Sequence, residues 1–415
     1  MEIKFFQDRC LISSLPEQVK HTLHSYSLIL EENSKLDFCG VIIDKETTSI
    51  FLPRNSNNYN TENFREVGSS LVKAIYKYAQ NRERFSMRDG YSDRLIGDSY
   101  LSLAFTLLKD FVENGLYIRH EYKIKKNQGK ICWKRTINKV QSFPSGNSPI
   151  YLDTLGKKKN ISLDREITRI HARVIRELDD VIGWVYFNND SGIQRELLDI
   201  TFPESSNELQ INAVRQELNN VYSDRDMNLL QELEKFLTLK NSISNKNIAI
   251  GINRFHSMWE NMIDNCLISK FDINHLLAKP CYKINGQYQI ATQKGGRTDT
   301  VLKTEEGDIF AIIDAKYYGT HELAQLPGWP DIIKQFFYAL ALKDIFPDAR
   351  INNYFLFPGD ANNVESAHLQ DPKTGFIQDE KYPPIKCIYI EPMYLINHYI
   401  TGKKLTHFSE QLIRN

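Results

Sequence analysis

Apolar residues follow two periodicities along the chain, and the change from one to the other marks the expected elements. Near the N-terminus, residues 39–43 and 49–53 are short apolar runs, which is typical of buried strands. The segments that follow carry apolar residues three or four positions apart, the spacing of one helix face. The helices predicted in this way cover residues 64–80, 98–114, 164–182, 207–222 and 225–239.

Beyond residue 246, predicted strands and helices alternate as in a compact α/β unit. The order is helix 247–268, strands 281–290, 297–304 and 309–316, helix 331–344, strands 353–357 and 387–390, and helix 393–401. Residues 358–385 are polar and rich in turn residues, and a loop of that length is usually functional or disordered.

These patterns predict an α/β (α+β) chain of three parts. A mixed α/β N-terminal domain covers residues 1–142, a helical middle region covers 143–245, and an α/β domain covers 246–415. The length of 415 residues agrees with several domains, because one hydrophobic core rarely serves more than about 250–300 residues.

The composition is that of an ordinary globular protein, with 41% hydrophobic residues, 25% charged residues and a formal net charge of zero. Zero net charge argues against indiscriminate coating of nucleic acid, although it allows local basic surfaces. The six scattered cysteines indicate reduced thiols rather than disulfides or a zinc site. The N-terminus lacks a signal peptide's apolar core, and no apolar run approaches the ~20 residues of a membrane span. We therefore expect a cytoplasmic protein with no membrane partner.

Two predicted strands around residues 306–307 carry charges at the far end of an otherwise apolar hairpin. A two-residue loop there places Asp299 opposite Asp314 and Arg297 opposite Lys316. Opposed carboxylates repel each other, and a cation between them relieves the repulsion. Lys316 shares the face of Asp314 because strand side chains alternate. Two acids and a lysine on one face predict metal-assisted phosphodiester cleavage.

Two alternatives to this interpretation stay open. A bulge at Gly307 would shift the pairing by one residue and move Asp299 to the other face. The charges could also form a salt-bridged strand end without any chemistry. The apolar residues favour the first register, because it pairs Val301 with Ile312 in the middle of the face.

Two predicted helices supply further polar candidates. Glu260 flanks the apolar stripe of helix 247–268, where its carboxylate could reach a second metal or orient a water. Gln335 and Tyr338 border the apolar face of helix 331–344, and either could steady the nucleophilic water or a phosphate. Exposed helix positions without chemistry are the alternative for all three. The face assigned to the core consists of Ile332, Ile333, Phe336, Phe337 and Leu340.

A strongly basic segment lies earlier in the chain, between residues 119 and 139. Residues 116–124 and 130–138 alternate like strands around residues 126–129, which predicts a β-hairpin. Such a hairpin could grip a phosphate backbone, or it could be a solvated edge whose lysines oppose aggregation. The candidate DNA contacts are Lys123, Lys125, Lys126, Lys130, Lys134 and Arg135, together with Arg297 from the C-terminal hairpin.

The order of elements over residues 247–357 resembles the αβββαβ core of the PD-(D/E)xK nucleases. The resemblance rests on the helix with Glu260, the strands with Asp299 and the run 314–316, and the helix with Gln335. The sequence departs from the family pattern at Thr298, where many members have proline.

The PD-(D/E)xK resemblance implies a Mg²⁺-dependent nuclease domain over residues 246–415, in which Mn²⁺ can replace Mg²⁺. Asp299, Asp314, Glu260 and the backbone carbonyl of Ala315 would hold the metal. Lys316 would generate or place the attacking water, and Gln335 would support it.

A closer resemblance, to the LlaJI-type restriction endonucleases related to McrC, spans most of the chain. The segments that carry it are residues 129–137, 167–171, 259–260, 314–318 and 329–338. This family implies cleavage of foreign double-stranded DNA in bacterial restriction and phage defence. It also implies a McrB-type AAA+ GTPase as a partner, with the region before residue 246 engaging DNA or that partner.

A homodimer on DNA is a further expectation, because two cuts in a duplex usually need two active sites. Two other functions stay open. The nuclease fold could be a catalytically silent scaffold that binds DNA or stimulates a partner GTPase, or the chain could be a DNA-repair nuclease with the same core.

Overall fold

The structure is a computed structural model that describes most of the chain in fifteen stretches. These are residues 2–29, 31, 34–44, 47–57, 59–60, 62–85, 93–146, 148–161, 166–187, 197, 200–243, 247–291, 296–320, 322–360 and 363–414. Within them, the side chains of residues 83–85, 120–123, 159–161 and 241–243 are not described.

The strands are β1 (Glu2–Gln7), β2 (Cys39–Ile43), β3 (Thr47–Leu52), β4 (Arg94–Ile96), β5 (His120–Lys126), β6 (Lys130–Ile131), β7 (Phe143–Ser145), β8 (Ser148–Ile150), β9 (Leu155–Ile161), β10 (Ile248–Asn253), β11 (Cys281–Ile284), β12 (Gln287–Ile290), β13 (Thr300–Lys303), β14 (Ile309–Ala315), β15 (Arg350–Pro358), β16 (Ser366–Ala367) and β17 (Ile385–Ile390).

The α-helices are α1 (Glu17–Ser25), α2 (Phe64–Phe85), α3 (Asp98–Asn114), α4 (Trp133–Lys139), α5 (Glu166–Leu178), α6 (Trp184–Phe187), α7 (Asn207–Leu218), α8 (Asp224–Ile243), α9 (His256–Cys266), α10 (Trp329–Ile345), α11 (Pro392–Thr401) and α12 (Thr406–Arg414). Short 3-10 helices cover Ile12–Ser14 and Leu323–Gln325, and a π-helical turn covers Asp179–Gly183.

The chain divides into two compact units. The first combines residues 1–101 with residues 246–415, and the second holds residues 102–245. This division differs from the predicted parts 1–142, 143–245 and 246–415, because strands from both ends of the chain share one sheet.

That shared sheet has the order β1-β3-β2-β10-β4, with β1 and β3 parallel and the other neighbours antiparallel. The predicted helix 247–268 was wrong in its first part, because residues 248–253 form strand β10 and the helix begins only at His256. The apolar run 248–252 forms a buried strand, and Arg254 ends it with a positive φ of 63°. Gly40 faces Gly251 where β2 and β10 approach closely, since a Cβ on Gly40 would lie 2.2 Å from the Ile250 carbonyl oxygen.

A second sheet of the same unit has the order β13-β14-β15-β17-β16. Strands β14, β15 and β17 are parallel, while β13 and β16 are antiparallel edges. These strands confirm the predicted ones at 297–304, 309–316, 353–357 and 387–390. Helix α10 packs on this sheet through an apolar core that includes Phe310, Ile312, Tyr338 and Leu342.

The predicted strand 281–290 is instead a hairpin of β11 and β12, which form a two-stranded sheet of their own. Asn285 and Gly286 turn the chain between them, with φ values of 51° and 82°. Two successive residues with positive φ are what the tight type I′ hairpin turn requires.

The register of β13 and β14 is the predicted one, with Val301 opposite Ile312 and Lys303 opposite Phe310. The predicted two-residue loop was wrong. Thr304 donates its backbone N–H to the Ile309 carbonyl, so the loop has four residues, 305–308. Gly307 takes a φ of 81° inside that loop, and no bulge shifts the pairing.

In the second unit, β5 and β6 both pair with β9 in a three-stranded sheet. The predicted basic hairpin of 116–124 and 130–138 was therefore wrong, because its two arms do not pair with each other and residues 133–139 are helix α4. Asn127 and Gly129 both have positive φ, and they turn the chain so that its two sides flank β9.

Candidate active site

Two aspartates meet where β13 begins and β14 ends. Asp299 comes just before β13, and its Oδ2 accepts a 3.0 Å hydrogen bond from the backbone N–H of Ala315. Asp314 lies on β14 and is only 4% exposed. The two carboxyl groups are close enough to hydrogen-bond to each other. The antiparallel register thus brings together the two acids that the sequence predicted.

Lys316 lies beside Asp314, as predicted, and is held from two sides. Its Nζ is 2.8 Å from Asp314 Oδ2 and donates a 2.7 Å hydrogen bond to Asp331 Oδ1. Asp331 belongs to the first turn of α10. The pKa of Lys316 is raised, because Asp314 and Asp331 more than offset the burial that would lower it. Lys316 is therefore a fixed, fully charged ammonium group.

Lys334 is a second ammonium group at this site, and we did not predict it. Its Nζ lies 3.4 Å from Asp314 Oδ1 and 3.8 Å from Asp299 Oδ1. The two aspartates also raise its pKa against the effect of burial. The sequence of α10 could have predicted this role of Lys334. Asp331, Lys334 and Tyr338 are separated by three and four residues and so share one helix face.

The two carboxyl groups differ in acidity. Burial and the charge of Asp314 raise the pKa of Asp299 to about 7. Burial also acts on Asp314, but Lys316 and Lys334 outweigh it and lower the Asp314 pKa. The pair therefore keeps one proton below about pH 7 when no further cation is bound.

Asp299 lines a cleft of about 820 Å³. Glu260 lies on α9 and lines this cleft, where partial burial, followed by the charge of Asp314, raises its pKa. Arg297 also lines the cleft, and its carbonyl accepts a 2.6 Å hydrogen bond from Tyr338 Oη. The structure thus brings Glu260 and Arg297 to the same cleft as Asp299.

Gln335 does not join this group. It is fully buried under the sheet, where its Nε2 donates to the Tyr354 carbonyl at 3.4 Å. Its own backbone carbonyl accepts a hydrogen bond from Asn353 Nδ2 at 3.5 Å. These bonds tie α10 to β15, which is a structural contact rather than the predicted one with water or phosphate.

The basic residues predicted to contact DNA belong to the second unit. Lys125 and Lys126 lie on β5, Lys130 on β6, and both Lys134 and Arg135 on α4, all exposed. Lys126 forms a 2.5 Å ion pair with Asp153. The side chain of Lys123 lies outside the described residues.

The donor atoms present fit a hard divalent cation. Among the described residues, no group of three or more His, Cys, Asp or Glu side chains could hold a metal ion. The carboxylates that meet at this site are those of Asp299 and Asp314. Mg²⁺ is usually bound by one or two carboxylates and keeps several waters. Asp314 Oδ2 is also a buried atom without a hydrogen bond, although Lys316 Nζ is near it.

Fold and site together define a mixed α/β protein with paired carboxylates and two ammonium groups at one end of a sheet. The model of the LlaJI restriction endonuclease family matches residues 38–391, and the chain belongs to this family. Membership makes it a nuclease-family protein of a restriction system.

Among solved structures, the chain is similar to one in the "refined half-complex from tetradecameric assembly of Thermococcus gammatolerans McrB AAA+ hexamers with bound McrC". The identity is 12%, the match covers 96% of this chain and 99% of the other, and the TM-score is 0.38. No curated protein matches the chain. None of the described helices is both long and apolar enough to cross a membrane.

Proposed function

We propose that the protein is a Mg²⁺-dependent endonuclease that hydrolyses phosphodiester bonds of duplex DNA in a cytoplasmic restriction system. The observation that carries the proposal is the convergence of Asp299, Asp314 and Lys316 on one face of a hairpin. A protein that only bound DNA would gain nothing from two buried acids that repel each other. Family membership supports the restriction setting.

Asp299 and Asp314 would hold Mg²⁺ together with the Ala315 carbonyl, and Mn²⁺ would fit the same oxygen donors. When bound, the metal supplies Lewis-acid stabilisation of phosphate charge and a more acidic water. Lys316 positions the attacking water through its fixed ammonium group. Lys334 offsets the negative charge that grows on phosphate oxygens as the P–O bond to the leaving group breaks. Glu260, whose pKa is raised, is the cleft's candidate for accepting a proton from water.

The order of α9, β13, β14, α10 and β15 supports assignment of this region to the PD-(D/E)xK nucleases. It departs from the αβββαβ order at the first strand, because the hairpin β11–β12 takes its place in the chain. Asp299, Asp314 and Lys316 lie on or next to β13 and β14, which keep the order.

Two partners belong to the proposal. Relatives of McrC work beside a McrB-type AAA+ GTPase, so we expect such a GTPase to control cutting. The described residues of one chain form one such site, and cutting both strands of a duplex therefore calls for two copies on DNA. The basic residues of β5, β6 and α4 are proposed contacts for DNA or for the GTPase.

The test compares Asp314→Asn with Asp344→Asn, an exposed position on α10. Both variants are incubated with plasmid and Mg²⁺, with and without a McrB-type AAA+ GTPase. We expect Asp314→Asn to cut at least about a hundredfold more slowly, since it removes a charged donor from the reacting centre. Asp344→Asn should cut like the wild type. Cutting by Asp314→Asn at the wild-type rate would overturn the proposal.

A further inference from the structure

The hairpin of β11 and β12 is exposed along its whole length. All ten residues from Cys281 to Ile290 are exposed, and the pairing runs from Cys281 opposite Ile290 to Ile284 opposite Gln287. One more backbone hydrogen bond, from Ala291 N–H to the Pro280 carbonyl, closes its base at 2.8 Å. In the described part of the chain it joins no larger sheet.

Four large apolar side chains of this hairpin keep about half or more of their surface exposed. Tyr282 is 52% exposed, Ile284 47%, Tyr288 74% and Ile290 65%. A two-stranded hairpin is marginally stable at best in water, and apolar residues on both of its faces are unusual for a purely solvated one. The hairpin therefore has the surface of an element that binds a partner.

Charge identifies the partner as a polyanion. From residue 273 to residue 298 the sequence contains no Asp or Glu, while it contains Lys279, Lys283, Lys294 and Arg297. Acids make up 52 of the 415 residues, so an acid-free stretch of this length marks a local exception in a chain of zero net charge. The hairpin itself carries Lys283 and no acid, and the other three cations flank it in the sequence. An acid-free segment of this kind attracts phosphates.

The two faces of the hairpin suit different parts of a duplex. Cross-strand pairing places Gln287 beside Ile284 and Gln289 beside Tyr282 on one face. A glutamine amide both donates and accepts, so it can form two hydrogen bonds with the major-groove edge of adenine. Apolar neighbours can pack on thymine methyl groups. The other face carries Lys283, whose Nζ lies 5.6 Å from the centre of the Tyr288 ring.

In the sequence, this hairpin comes shortly before the candidate active site. Ile290 precedes Asp299 by nine residues, and Arg297 between them lines the cleft. The carbonyl of Arg297 is fixed by Tyr338 of α10. Hairpin and carboxylates therefore lie on one continuous segment of the first unit.

We propose that the hairpin Cys281–Ile290 enters the major groove of duplex DNA, with Gln287 and Gln289 reading base edges and Lys283 contacting the backbone. The inference rests on the proposed function, because it takes the DNA substrate from it. A B-DNA major groove is about 12 Å wide and admits a two-stranded β-ribbon.

The experiment measures binding rather than cutting. Full-length protein is bound to a duplex pool with a randomised central segment in Ca²⁺, and the bound sequences are recovered over several rounds. We expect the wild type to enrich a sequence and the double variant Gln287→Ala/Gln289→Ala to lose preference at about two of its positions, by about fivefold or more at each. Enrichment of the same sequence to the same extent by the double variant would overturn the inference.

A second measurement follows the backbone contact. Lys283→Gln is compared with Lys403→Gln, an exposed lysine beyond α11. We expect Lys283→Gln to weaken binding of all duplexes about equally and to reduce the salt slope of log K by about 1, while Lys403→Gln leaves both unchanged. Equal salt slopes of log K for Lys283→Gln and Lys403→Gln would contradict a contact between Lys283 and the DNA backbone.

The control for the proposed function is Asp314→Asn in the same binding assay. It keeps the hairpin, so it should enrich the same sequence as the wild type while failing to cut. If the wild-type protein binds DNA through the hairpin but never cuts it, the proposed endonuclease activity is overturned and the inference about the hairpin stands. Wild-type protein that ignores DNA but uses Lys283 and Gln287 to bind another protein would overturn the inference.

Discussion

At the scale of single residues, the site is a balance of two acids and two ammonium groups. Lys316 is fixed by Asp314 and Asp331. Lys334 lies at longer distances from Asp299 and Asp314, and its side chain is 36% exposed. Lys334 thus takes the position between the carboxylates that a bound cation would share. Its charge limits their repulsion when no metal is bound, and in the proposed mechanism it turns toward phosphate when one is.

Replacing Lys334 with Gln tests this balance. The unfolding free energy without metal should fall by about 1 kcal/mol, because the lost ion pairs are partly exposed. Ca²⁺ should then raise the melting temperature of Lys334→Gln more than that of the wild type, since the metal replaces the missing charge. Thermal melts with and without Ca²⁺ measure both effects, with Lys403→Gln as the control. An identical Ca²⁺ shift in Lys334→Gln and wild type would contradict this role.

The raised pKa of Asp299 predicts a pH-dependent metal affinity. Its folded-state pKa is about 7 against an ordinary value of 3.8, so its contribution to stability is complete below pH 3.8 and is lost as pH rises through 7. Metal binding must displace the shared proton. We expect Ca²⁺ affinity to rise by up to about tenfold per pH unit below pH 7 and to level off above it. Calorimetric titrations across this range would show a flat affinity if the proton is not shared.

At the scale of elements, the sequence predicted those parts that depend on neighbouring residues in the chain. Alternation of Val301 and Lys303 against Phe310 and Ile312 was enough to predict the register, and hence the meeting of Asp299 with Asp314. The four-residue loop was missed because it preserves the same register.

The prediction of a basic hairpin was wrong for a reason that lies outside residues 116–138. Strands β5 and β6 pair with β9, which lies some thirty residues further on, and only Asn127 and Gly129 with their positive φ show where the chain turns. The Asn285-Gly286 turn, by contrast, was a local signal that could have separated β11 from β12.

Helix α10 shows the limit of periodicity. Its predicted core face included Ile333, Phe337 and Leu340, yet these are 43%, 48% and 68% exposed. A helix that is apolar on most sides does not reveal which side meets the sheet. The polar residues were the better guide, because Asp331 and Lys334 mark the side that faces the aspartates.

Tyr317 joins β14 to the N-terminal sheet directly after Lys316. Its hydroxyl accepts a 2.8 Å hydrogen bond from the Arg54 backbone N–H, and its ring packs on Phe255 of the segment entering α9. Tyr317→Phe should lower the unfolding free energy by about 1–3 kcal/mol, because that N–H loses its partner. Urea denaturation measures the loss, and Tyr222→Phe, at a position 91% exposed, should cause none. Equal stability of Tyr317→Phe and wild type would show that Arg54 finds another acceptor.

At the scale of the whole molecule, the first unit is built from both ends of the chain. Strand β10 fills the place between β2 and β4, and α11 packs on α2, where Lys77 Nζ donates to the Tyr399 carbonyl. Periodicity could not show this, since it reports the type of an element and not its neighbour. The residues that surround the candidate active site therefore depend on residues 1–101 for their support.

A fragment of residues 246–415 should consequently fail to fold alone. Without β2 and β4, both edges of β10 lose their hydrogen bonds, and its buried apolar residues Ile250 and Ile252 become exposed. We expect this fragment to be insoluble or to melt without a cooperative transition. A matched chain that joins residues 1–101 to residues 246–415 through a flexible Gly/Ser linker should melt cooperatively, because it contains every strand of both sheets. Near-UV circular dichroism during heating distinguishes the two. Cooperative melting of the isolated fragment at the temperature of the full chain would mean that the N-terminal strands only cover a domain that is stable by itself.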